Sequence, residues 1–163
     1  MTDSSYTATH PVPQPGPVTS RSEITWRGEK LFDAGPPGRT QIIDGNAKVA
    51  PGPVETLLGA IAACMSVDVI DILEKRRATV TRYHTKVTAD RRPEFPRRVR
   101  RLDLEVHVDG TGLDRENTER AISLSFERYC SVGASLASDI VVNAALVLNA
   151  ETFEPFALKV WQG

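Results

Sequence analysis

From Pro51 to Lys75 the chain reads PGPVETLLGAIAACMSVDVIDILEK, its longest apolar stretch. Between Leu57 and Leu73 every position is apolar or small except Ser66, Asp68 and Asp71. At 1.5 Å per residue that segment makes a helix of roughly 25 Å. A surface helix carries one apolar stripe and one polar face. Here Leu57, Ile61 and Met65 lie on one side, and Ala60, Ala63, Val67 and Ile70 on the other. The pattern predicts a core helix buried nearly all round. Gly59, Ala60, Ala62 and Ala63 let neighbouring backbones approach, and Cys64 sits in the middle.

The rest of the chain has to cover that helix. At 163 residues it is long enough for one domain with a true core. The segment holds two aspartates and falls short of a membrane span, so it reads as a buried helix. The opening MTDSSYTATH lacks the basic and apolar regions of a secretion signal. A formal net charge of -1 gives no general affinity for nucleic acid or an acidic membrane. Two cysteines are too few for a secreted disulfide scaffold. The expectation is a cytoplasmic protein in which the cysteines are either inert core residues or a reactive pair.

Residues 1–20 are polar, with four prolines in Pro11–Pro17, and read as a flexible tail. The domain then spans 21–163. SEITWRGEKLF suits a strand with a turn at Gly28, and TQIIDG a short strand. Pro53 then Glu55 is the favourable opening of a helix, with proline first and an acid in the first turn. Residues 78–92 read as a half-exposed strand, with Val80, Arg82, His84 and Lys86 sharing one face. Residues 98–110 alternate cleanly: Leu102, Leu104, Val106 and Val108 face a core, and Arg101, Asp103, Glu105 and His107 face away. A second helix covers 115–129, capped by Asn117 or Thr118, with Ala121, Ile122, Ser125, Phe126 and Tyr129 or Cys130 inside. A helical turn at 134–138, a strand over 139–150 and a last strand in ALKVWQG complete the order β-β-α-β-β-α-β-β. This is an α+β fold with a largely antiparallel sheet.

The cysteines fall one to each long helix. Helices packed on one sheet face lie about 10 Å apart or less, so 66 residues of separation do not keep Cys64 from Cys130. A buried cysteine is often no more than a small hydrophobe. Chemistry requires a thiolate, and a mid-helix thiol needs a cation to form one. Arg27 and Arg39 are the candidates, both before the core helix. Glu55, nine positions ahead of Cys64, cannot reach the thiol along an α-helix but can orient such an arginine.

VETLLGAIAACMSVDVIDILEKRR followed by AISLSFERYCSVGASL resembles the OsmC/Ohr family of thiol peroxidases over residues 22–150. The resemblance implies mainly antiparallel sheets around two central core helices, an intertwined homodimer, and sites at the subunit interface. It implies that Cys64 is the peroxidatic cysteine and Cys130 the resolving one, with an arginine (Arg27 or Arg39) and Glu55 activating the first. It further implies a cofactor-free reduction of organic hydroperoxides, with a dithiol or lipoylated protein as reductant. The organic-hydroperoxide branch carries its acid ten residues before the cysteine, which is Val54 here; the acid of this chain is one residue later.

Other features read as structural. Six arginines within 91–101 form a solvated hairpin rim rather than a nucleic-acid patch, since no aromatic interleaving accompanies them. His10, His84 and His107 lack metal-ligand spacing. Asp68 and Asp71 need partners if buried. The alternative to an enzyme is a dimer that binds an apolar small molecule or senses stress without turnover.

Overall fold

The computed structural model describes residues 18–161; most of the expected tail lies outside them. Three strands come first: β1 (Glu23–Gly28), β2 (Leu31–Gly35) and β3 (Gln41–Asp44), an antiparallel sheet of their own. The long helix α1 (Pro53–Lys75) follows. Strands β4 (Thr79–Arg91) and β5 (Val99–Thr111) form an antiparallel hairpin. Helix α2 (Arg115–Leu124) runs on into a π-helical turn, Ser125–Tyr129, and a short helix α3 (Ser131–Ala134). Strands β6 (Val141–Leu148), β7 (Glu151–Thr152) and β8 (Phe156–Leu158) close the second sheet, in which β6 pairs with β5, β7 and β8.

The architecture is α+β with mixed sheets. The turn expected at Gly28 is there, and it makes the segment a hairpin of two strands: Gly28 and Glu29 both take positive φ and reverse the chain. The strand pairs are antiparallel, as expected for most of the sheet, except β5 with β6, which run parallel: the helical segment between them carries the chain back across the sheet before β6 begins. β5 keeps the predicted faces, with Leu102, Leu104, Val106 and Val108 at 2% exposure or less. In β4 the predicted parity breaks. Val80 pairs with Gly110 and Arg82 with Asp109, so Thr81 is an extra residue in a bulge. Beyond it the half-buried face belongs to Tyr83, Thr85, Val87 and Ala89, and His84 and Lys86 point outward.

α1 opens as expected. Pro53 occupies its first turn, and the Glu55 carboxylate accepts the Gly52 N–H at 2.7 Å. The helix is 23 residues long, longer than the apolar run suggested, and by length and composition alone could cross a membrane. Here it packs against β4 and against α2, the π-turn and α3. Its burial corrects the sequence expectation. Ile61, Met65, Val69 and Leu73 form one buried stripe, while Leu57 is 38% and Val67 62% exposed, and Gly59, Ala60 and Ala63 face outward. One chain covers only one side of an apolar helix.

α2 starts at Asp114 rather than at Asn117 or Thr118: the Asp114 side chain accepts the Asn117 N–H at 2.8 Å. Ala121, Ile122, Ser125 and Phe126 are buried as expected. The expected helical turn at 134–138 falls earlier, at Ser131–Ala134.

Candidate functional site: two thiols between the core helices

Cys130 owes its position to the π-turn. Its N–H bonds to the Ser125 carbonyl at 2.7 Å, five residues back rather than four. Tyr129 is left 60% exposed and Cys130 only 1%. The Cys130 Sγ accepts the Gly133 N–H at 3.2 Å, closing the first turn of α3 around the sulfur. Cys64, half-buried on α1, lies near enough to that sulfur to act on its ionisation. The chain thus brings together two residues 66 apart in sequence, both as free thiols.

The two environments differ. Burial pushes the Cys130 thiol up to about 11; the Gly133 N–H works against burial, and the Cys64 sulfur and the Asp68 carboxylate add to it. Cys130 is therefore held as a protonated, solvent-sealed thiol. Cys64 retains a partly open face. An open recess lined by Asp68, Asp71, Ile72, Lys75 and Tyr129 lies beside the pair.

The other candidates lie elsewhere in the single chain. Arg27, on β1, pairs with Asp33 on β2 at 3.5 Å and is half exposed. Arg39 is exposed in the turn before β3, its N–H bonded to the Pro36 carbonyl. Glu55 is engaged at the start of α1. No arginine is among the groups acting on the Cys130 thiol.

Two residues that the sequence placed separately, Asp68 one turn after Cys64 and Ser125 on the inner stripe of the second helix, meet at the site, a pairing the sequence did not show. Ser125, fully buried, donates from its hydroxyl toward Asp68 Oδ2 (3.0 Å) and the Met65 carbonyl (3.2 Å). Asp68 stands one helical turn after Cys64, and that i, i+4 spacing was the available signal. Outside the site, His84 and His107 are cross-strand partners with ring centroids 5.6 Å apart, and His107 bonds Glu105. Among the described residues no group of three or more metal-ligating side chains forms.

The fold and the thiol pair can be set against known proteins. The family model for OsmC-like proteins matches residues 44–145, from the end of β3 through most of β6. The chain belongs to the OsmC-like family. Its relatives include Protein YhfA of Escherichia coli K12, 37% identical over 114 residues, covering 69% of this chain and 81% of that protein. Among solved structures, a hypothetical protein from Aquifex aeolicus superposes with a TM-score of 0.74 at 24% identity, covering 80% of this OsmC-like chain and 96% of the other. An organic hydroperoxide resistance protein, OsmC, from Legionella pneumophila shares the fold more loosely, with a TM-score of 0.54 at 12% identity and coverage of 80% and 96%.

Proposed function

We propose that this OsmC-like protein is a cytoplasmic, cysteine-based peroxidase that reduces organic hydroperoxides. The supporting observation is the pairing of a partly open thiol, Cys64, with a sealed, protonated one, Cys130. In this reading the Cys64 thiolate attacks the distal peroxide oxygen. The O–O bond breaks and the alkoxide takes a proton to leave as the alcohol, while the sulfur is oxidised to a sulfenic acid. Cys130 then attacks that sulfur. The S–S bond forms, the S–OH bond breaks, and the hydroxyl leaves with the Cys130 proton as water. A dithiol or a lipoylated protein reopens the disulfide by exchange and is itself oxidised.

The uncovered face of α1 supports the dimer that accompanies this reading. Leu57 and Val67 on α1, Ile24 and Trp26 on β1, and Ile42 on β3 are exposed apolar side chains. A second copy burying them also carries the first sheet across to the partner's α1. Arg27 or Arg39 of that copy then supplies the cation for the attacking thiolate, oriented by Glu55.

The test is thiol stoichiometry. One equivalent of an alkyl hydroperoxide should convert both thiols to a Cys64–Cys130 disulfide with one equivalent of alcohol, and C64S should abolish turnover. A second reading, a dimer that binds a mainly apolar small molecule without turnover, draws on the groove between α1 and β4 lined by Glu55, Leu58, Gly59, Ala62, Thr85 and Val87. It predicts that both thiols survive peroxide and that apolar ligands raise the Tm.

A further inference from the structure

We propose that Asp68 and Ser125 form a positioning pair that assigns the two thiols their separate roles, holding Cys130 in register with Cys64 and keeping it the second to react. The consequence for turnover rests on the peroxidase reading; the arrangement itself is a property of the reduced protein.

Ser125 is anchored twice to the helix that carries Cys64, at the Met65 carbonyl and at Asp68. Its own carbonyl receives the Cys130 N–H at 2.7 Å. One residue therefore ties the backbone of the second cysteine to the helix of the first. Nothing else among the described hydrogen bonds joins α1 directly to the π-turn. The serine is completely buried, so its one hydroxyl proton is shared between the two acceptors on α1, with no water to take their place.

Charge is the second part. Asp68 is half-buried beside the thiols, and its carboxylate opposes a second negative charge on Cys130, in the same direction as burial. The groups facing that carboxylate and its recess are Cys64, Asp71 and Lys75 from α1, and Ser125, Tyr129 and Cys130 from the π-turn and its end. Lys75 is the one cation lining the recess. Cys130 thus waits as a thiol and gives up its proton only when the sulfenic hydroxyl is there to leave with it as water.

Two variants separate the parts. Asp68→Asn keeps the shape and removes the charge; Ser125→Ala keeps the charge and removes the bridge. In a C64S background, ultraviolet titration of the remaining thiolate should show Asp68→Asn moving the Cys130 transition downward, because one of the charges opposing the thiolate is gone. Ser125→Ala should move it far less. In the protein with both thiols, stoichiometric diamide, which forms disulfides without peroxide chemistry, should close Cys64–Cys130 about tenfold more slowly in Ser125→Ala, and Ser125→Thr, which restores the hydroxyl, should recover the rate. An unchanged titration in Asp68→Asn together with an unchanged closure rate in Ser125→Ala overturns the proposal. If Ser125→Ala does not fold, Asp68→Ala, which removes the shorter of the two bonds of the bridge and leaves the one to Met65, carries the closure measurement, with a smaller slowing expected. Wild-type protein that closes with diamide but ignores hydroperoxide would remove the peroxidase reading and leave this pair standing.

Discussion

Gly133 lies against the buried sulfur. A Cβ built there would stand 3.3 Å from the Phe126 ring and 3.4 Å from Cys130 Sγ, both buried side chains. Gly133→Ala should cost about 1–3 kcal/mol in urea unfolding through overpacking. It should also displace the sulfur enough to slow disulfide closure. Asp44 does a different job before α1. Its carboxylate accepts the backbone N–H groups of Asn46, Lys48 and Val49 at 2.8–3.0 Å, and these bonds hold its carboxyl below the ordinary aspartate value of 3.8. A depressed carboxyl stabilises the fold above its unfolded value and ceases to do so as the pH falls through its folded value. Thermal melts should therefore show Asp44→Ala less stable than wild type at neutral pH, with the gap closing below about pH 4. At this scale the sequence was partly legible. Cys64 and Cys130 stood out because each falls in the apolar period of its own helix. Asp68 and Ser125 did not, because a polar residue in such a period announces only that it needs a partner, not which one.

Elements were easier to read than single side chains. The apolar runs that became α1, β5 and β6 are long and regular, so local periodicity was enough to place them. The stripe of α1 is the clearest case: Ile61 is fully buried, and Ile61→Ala should cost about 2–5 kcal/mol, read as a fall in the urea midpoint without a change in slope. Two things escaped the periodic reading, both set by pairing rather than by local pattern. The β4 bulge at Thr81 exchanges inward and outward faces, and only the opposing strand, with Gly110 across from Val80, shows it. A Cβ at Gly110 would lie 2.0 Å from the Thr79 carbonyl, so the bulge and the glycine require each other. The parallel pairing of β5 with β6 follows from the helical connection between them, a signal present in the chain but outweighed by the run of hairpins around it.

For the whole molecule, the uncovered side of α1 is the dominant fact. The sequence announced a helix apolar all round, and one copy of the chain fully buries only the stripe of Ile61, Met65, Val69 and Leu73. The missing cover was not legible because periodicity reports that a face avoids water, never whose residues shield it. If a second copy does so, wild-type protein should elute from size exclusion at twice the chain mass. Val67→Asp, which puts a charge on the outer face, should shift elution toward one chain mass without loss of far-ultraviolet ellipticity.

The unequal access of the two sulfurs also decides where wear accumulates. Under excess oxidant, irreversible sulfinic and sulfonic forms should be found by peptide mass spectrometry at Cys64, the thiol with an open face, while Cys130 stays intact behind its aromatic and glycine wall. An ageing population of this protein would then lose its first nucleophile and keep its second, and the ratio of the two would serve as a molecular record of past exposure.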